Sequence, residues 1–153
     1  MNNGDIMKRK KRLKMVPGKG LTWVDVEEET ENYYEPHTWY PLKKAIDLLE
    51  GKGVEGIYWI RLAHKAISYP KGKSQVIYIG KSERSIRQRL KRHLEGRDPQ
   101  GACILSQSPA EDLEVGFELI PQREEIFTKE QLLLKAFRKR FGDLPQCNRM
   151  ILR

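Results

Sequence analysis

Residues 54–62 read VEGIYWIRL and residues 75–79 read QVIYI, two runs dense in aromatic and β-branched side chains. The stretch between them, 63–74, contains Pro70 and Gly72. Side chains of the first kind pack well on pleated, extended backbone, whereas Pro and Gly supply turn geometry. The pair therefore predicts two strands of one antiparallel hairpin with a long connecting loop. Downstream, Ile86, Leu90 and Leu94 recur at i, i+4 and i+8, which predicts a helix over Ser85–Leu94. Leu113, Val115, Phe117 and Leu119 then alternate with Glu114, Gly116 and Glu118, the period of a third strand. Thr128 and Gln131 form a capping-box pair that predicts a helix running to Phe141 and stopped by Gly142. A loop or short helix fills the gap between 94 and 113. The order describes an α/β (α+β) domain over 53–153, a small three-stranded antiparallel sheet flanked by helices.

Ahead of this domain the pattern is different. Residues 1–20 read as a basic flexible arm, with Lys8, Arg9, Lys10, Lys11, Arg12 and Lys14 clustered before Pro17, Gly18 and Gly20. Residues 21–52 read as an N-terminal extension with one helix. Leu21–Val26 suggests a short strand and Glu27–Glu31 a solvated acidic run. Pro41–Glu50 suggests a helix with proline in its first turn and Leu42, Ala45, Ile46 and Leu49 on one face.

The chain has 153 residues, 39% of them apolar and 33% charged. No apolar run approaches the ~18 residues of a membrane-spanning helix, so a membrane protein is not expected. Cys103 and Cys147 are too few for a disulfide framework or a cysteine-based zinc site. A reducing, cytoplasmic setting is the expectation. The net charge of +8 is unevenly placed. Seven basic residues against Asp5 make 1–20 strongly positive, and 21–50 is equally negative, so the whole surplus falls in 51–153. A folded domain with a concentrated basic excess suits a polyanion, usually nucleic acid.

Three polar features sit where packing alone would not place them. Glu130 lies three and four residues before Leu133 and Leu134 and projects from the same helical face. It either complements the positive end of its helix dipole or is paired or metal-bound. Arg89 and His93 are i, i+4 neighbours beside the Ile86/Leu90/Leu94 stripe, either a surface cation and a structural histidine or a phosphate grip with a proton carrier. Tyr58 and Tyr78 stand on the two strands of the predicted hairpin, where tyrosines are usually core or interface residues.

Taken together, these positions resemble the GIY-YIG nuclease superfamily. Gly56-Ile57-Tyr58 and Tyr78-Ile79-Gly80 match its paired signature, nineteen residues apart, a separation lengthened by the loop 63–74. The run YIGKSERSIRQRLKRHL (78–94) resembles the family's second strand and first helix. The resemblance places the catalytic arginine at Arg89, the frequent histidine at His93 and the metal-binding glutamate at Glu130. A late asparagine corresponds to Asn148. It spans 54 to about 150; the N-terminal fifty residues resemble nothing in the family.

The resemblance implies a metal-dependent DNA endonuclease that hydrolyses phosphodiester bonds, with one Mg²⁺ (or Mn²⁺) on Glu130. Tyr58 would be general base, or His93 would instead take the proton through Tyr58, with the choice of tyrosine left open, and Arg89 would bind the scissile phosphate. Tyr78 would orient water or phosphate, and Asn148 would help to hold the site. Lys81, Arg84, Arg87, Lys91 and Arg92 follow the second strand densely enough to suggest DNA-backbone contacts. Double-stranded DNA is the expected partner, and a compact restriction-type enzyme acting as a homodimer the expected role. The alternatives are a structure-specific or nicking nuclease, or a catalytically idle nucleic-acid-binding module of the same fold.

Overall fold

The computed structural model describes residues 11–25 and 32–149. Lys8–Lys10, the acidic run 27–31 and the end of the apolar tail, 150–153, lie outside the described residues. In chain order the strands and helices are β1 (Lys11–Val16), β2 (Gly20–Asp25), β3 (Tyr40–Pro41), α1 (Leu42–Leu48), β4 (Gly56–Leu62), β5 (Ile67–Tyr69), β6 (Gly72–Ser74), β7 (Val76–Ser82), α2 (Ile86–Glu95), α3 (Pro99–Gln107), β8 (Leu113–Leu119) and α4 (Arg123–Phe141). A 3₁₀ turn, Ala110–Asp112, leads into β8.

The main sheet is antiparallel throughout, with order β3-β8-β4-β7. It therefore has four strands where three were expected, because the two residues of β3 pair with Val115 and Glu114 at the β8 edge. Helices cover both of its faces, which explains why GIYWIRL and VIYIGKS are buried almost without alternation. On one face Tyr58, Ile60, Leu62 and Tyr78 pack with Leu42, Ala45 and Ile46 of α1, Ile86 and Leu90 of α2 and Ile104 of α3. On the other, Ile57, Trp59, Val76 and Ile79 pack with Ile126, Leu133, Phe137 and Phe141 of α4. Burying a side chain of this size contributes about 1.5–3 kcal/mol, so these two cores hold the central strand between them.

Several local expectations change in the structure. Lys11–Val16 is a strand paired with Gly20–Asp25, so the segment read as a flexible arm holds half of a hairpin. Leu13, Met15, Leu21 and Trp23 stand on one side of that hairpin and are 51–68% exposed. The loop 63–74 carries its own two-stranded ribbon, β5–β6. The gap after α2 holds the nine-residue helix α3, capped by Asp98 with Pro99 in its first turn. The capping-box reading at Thr128 fails: α4 begins five residues earlier, at Arg123, with Glu124 and Glu125 in the first turn. Cys103 on α3 and Cys147 form a disulfide across 44 residues, a pairing their sequence spacing does not reveal.

Candidate active site

The central tyrosine is placed by strand register. Tyr58 on β4 stands opposite Gly80 on β7, and Tyr78 stands opposite Ile60, so both phenols occupy one face of the sheet. Their ring centroids are 6.0 Å apart. Gly80 makes this possible, since a Cβ there would come within 2.6 Å of the Tyr58 hydroxyl and of the Tyr78 ring. The glycine of the second tripeptide is thus a space requirement set by the two tyrosines.

Helix α2 brings its residues onto the same pair. Ser85 caps it by accepting from the Gln88 amide, and Gly96 ends it in the left-handed conformation. Ile86, Leu90 and His93 form its buried stripe, and His93 is 1% exposed. The Tyr58 hydroxyl lies 2.7 Å from His93 Nε2. Arg89, one turn before His93, is half-buried and has a buried Nε without a hydrogen-bond partner. Burial pushes the Tyr58 phenol well above its ordinary range, Tyr78 adds to this, and Arg89 opposes it. Burial likewise raises Tyr78, with Arg89 again opposing. His93 is lowered to about 4, chiefly by burial, with Asp98 opposing and Arg89 adding. At neutral pH the pair is a protonated phenol and a neutral imidazole, and the tautomer of the ring sets which of the two donates.

Glu130 comes from the opposite side of the sheet. Because α4 starts at Arg123, Glu130 sits two turns inside the helix and cannot serve the dipole at its N-terminus. It is half-buried; burial raises its pKa, against the pull of Lys81, of a hydrogen bond from Gln131 and of Arg89. Helices α2 and α4 approach from the two faces beside the edge strand β7 and frame an open cleft of about 640 Å³. Tyr78, Arg89 and Glu130 line it together with Lys81, Arg84 and Arg92. Among the described residues no group of three or more His, Cys, Asp or Glu converges as a metal cage. A single carboxylate in a wet cleft fits Mg²⁺, which keeps most of its waters and binds through one or two carboxylates plus substrate oxygens.

A family model described as the GIY-YIG catalytic domain matches residues 55–142. The chain belongs to the GIY-YIG family. Membership makes 55–142 a nuclease domain, with a nucleic acid as its substrate. Nucleases of the GIY-YIG family generally use a divalent metal. Curated proteins yield no match to the chain, and solved structures yield none either.

The GIY-YIG motif residues named from sequence fall in three groups. Tyr58, Tyr78, Arg89 and His93 are in mutual contact or adjacent, and Glu130 faces them across the cleft. Asn148 lies beyond the matched segment and is not in the cleft lining. Its amide clamps the β7 edge, Oδ1 accepting from the Ile79 amide at 2.9 Å and Nδ2 donating to the Ile79 carbonyl at 2.8 Å. It therefore fixes the strand between Tyr78 and Gly80. Of the five cations, Lys81, Arg84 and Arg92 line the cleft, but Arg87 and Lys91 do not. Arg87 donates to the Ile46 carbonyl of α1 at 3.1 Å, and Lys91 lines a separate groove with Lys43 and Leu94. Sequence reasoning missed Gln88 and Gln100, which also line the cleft. The i, i+4 pairing of Gln88 with Arg92 would have found the first of them.

Proposed function

We propose that this GIY-YIG protein is a Mg²⁺- or Mn²⁺-dependent endonuclease that hydrolyses double-stranded DNA at specific sites, in the manner of a restriction enzyme. The observation that carries the reading is the 2.7 Å contact between the Tyr58 hydroxyl and His93 Nε2, set behind a cleft that holds Arg89 and Glu130. The contact gives the phenol somewhere to send its proton. Without it, a phenol raised above its ordinary range would be a poor base at neutral pH.

Tyr58 passes its proton to His93 Nε2 and takes one from the attacking water. The water oxygen forms a bond to phosphorus as the bond to the 3′-oxygen breaks, and the leaving oxygen is protonated from solvent. Arg89 neighbours both phenols and lines the cleft, so it favours their ionised forms and meets the charge that grows on the phosphate. Tyr58 and Tyr78 are both buried, but Tyr78 and Arg89 line the cleft and Tyr58 does not. We assign to substrate binding the movement that draws Arg89 onto phosphate and opens the Tyr58 oxygen to water. Tyr78 orients that water. Glu130 would hold the metal, which supplies Lewis-acid stabilisation of the phosphoryl oxygens. Lys81, Arg84 and Arg92 track the backbone. With one cleft of this kind among the described residues, we propose that a homodimer cuts the two strands of the DNA.

The test is cleavage of supercoiled plasmid in Mg²⁺ or EDTA. Wild type gives discrete Mg²⁺-dependent fragments; Glu130→Ala gives none yet still retards DNA on gels. Metal-dependent cutting by that variant would falsify the assignment of Glu130. Arg89→Ala lowers the single-turnover rate roughly 10²–10³-fold, the usual cost of one transition-state donor, and a near wild-type rate would reduce Arg89 to a surface cation. Nicked circles in place of fragments would replace the restriction-type reading with a nicking one.

A further inference from the structure

His93 Nδ1 is buried without a hydrogen-bond partner, and so is Asp98 Oδ2. These two atoms face each other at 3.5 Å, an ion-pair distance slightly long for a hydrogen bond. The other carboxylate oxygen, Oδ1, is already committed, accepting from the Gly101 amide at 2.6 Å as the N-cap of α3. The joint between α2 and α3 is built around this carboxylate. A Cβ on Gly101 would come within 2.5 Å of Asp98 Oδ1 and 2.7 Å of the His93 carbonyl, so only glycine lets the two helices close up. The groups facing the imidazole are Asp98 from the start of α3, Tyr58 and Tyr78 from the sheet, and Arg89 and Arg92 on its own helix.

We propose that Asp98 is a positioning residue that keeps the His93 proton on Nδ1 and so leaves the Nε2 lone pair facing the Tyr58 hydroxyl. The proposal rests on the nuclease reading for its catalytic meaning, but its structural content is independent of it. A carboxylate can only accept, so Nδ1 must be the protonated nitrogen for the facing pair to be satisfied. When Tyr58 hands its proton to Nε2, the imidazolium carries both protons and the Asp98 carboxylate lies against the new charge. The 3.5 Å separation shortens at that moment, as contacts in free enzymes do when charge develops. The result is a Tyr–His–Asp line in which the carboxylate orients and stabilises, and itself takes no proton.

Two substitutions separate this role from capping. In Asp98→Asn the oxygen stays on the Gly101 amide and the NH₂ group faces Nδ1, which forces the histidine proton onto Nε2. Asp98→Ser keeps an oxygen for the cap and offers Nδ1 nothing. ¹⁵N NMR of the full-length chain, with the His93 signal identified by its loss in His93→Gln, should show an Nδ1-protonated ring in wild type and an Nε2-protonated ring in Asp98→Asn. Single-turnover cleavage should fall roughly 10²–10⁴-fold in both Asp98 variants, with DNA affinity and melting temperature little changed. Their rates should still climb through the alkaline range, where wild type is level, because hydroxide then replaces the missing acceptor. An Nε2-protonated ring in wild type, or an unchanged tautomer in Asp98→Asn, overturns the proposal. So does a full cleavage rate in Asp98→Ser, which would leave Asp98 as a cap alone. If the tautomer switches as expected but wild type cuts no DNA under any condition, the positioning role stands and the nuclease reading falls.

Discussion

His93 is 1% exposed and held down to about 4, against about 6.5 in an unfolded chain, so between those values the unfolded chain binds a proton that the folded one excludes. Stability therefore rises with pH across that window, and its contribution is lost as pH falls from 6.5 toward 4. The shift corresponds to on the order of 3 kcal/mol. Melting temperatures of wild type and His93→Gln, measured from about pH 7 down to about 4.5, should converge as the wild type loses this contribution. Parallel curves would mean that the ring is hydrated in solution. Glu130 moves the other way: burial raises its pKa, so if it holds the metal as proposed, the acid limb of cleavage should report this carboxylate and not the histidine. At this scale the sequence was informative wherever side-chain chemistry alone suffices, as at Tyr58, Arg89, His93 and Glu130. It was silent on Asp98, whose partner is five residues back across a helix end, a distance that carries no periodic signal.

Among the elements, β8 has the bounds that its alternating pattern implies, although Gly116 is buried and Leu119 is exposed against that pattern, and α2 keeps its stripe to within one residue. The elements that escaped reading lack such a pattern. Strand β3 is two residues long and exists only because β8 offers an edge. Helix α3 buries little of itself, and its one sequence sign was Asp98-Pro99, an N-cap followed by a first-turn proline. The Thr128–Gln131 pair mimicked a helix start inside a helix already under way. On α2 the cations were grouped by density alone, without the helical rotation that sends Arg87 and Lys91 toward α1 and Gln88 and Arg92 into the cleft. The edge of β7 supplies a test at this scale. Asn148→Ala removes both hydrogen bonds to Ile79 and leaves two buried backbone groups unpaired, a cost of about 2–4 kcal/mol. Denaturant melts should show that destabilisation, with cleavage reduced in the surviving folded fraction; an unchanged midpoint would mean that the strand edge holds without the clamp.

For the molecule as a whole, the proposed DNA path draws on the part of the +8 surplus that lines the cleft. Neutralising Lys81, Arg84 and Arg92 with glutamine should reduce the slope of log affinity against log salt by about 0.9 for every DNA phosphate that these side chains no longer neutralise. The same change at Arg87 and Lys91 should leave the slope where it is, and an equal effect from both sets would move the DNA path around α2 to the α1 side. The disulfide between Cys103 and Cys147 closes a loop that divides the candidate site residues between two stretches of chain. Tyr58, Tyr78, Arg89 and His93 precede the closed loop, whereas Glu130 lies within it. A protease that cut the connection between β8 and α4, residues 120–122, would open the loop without releasing either piece. The nicked chain would run as one band on a non-reducing gel and as two fragments with reductant, each fragment carrying only part of the proposed site.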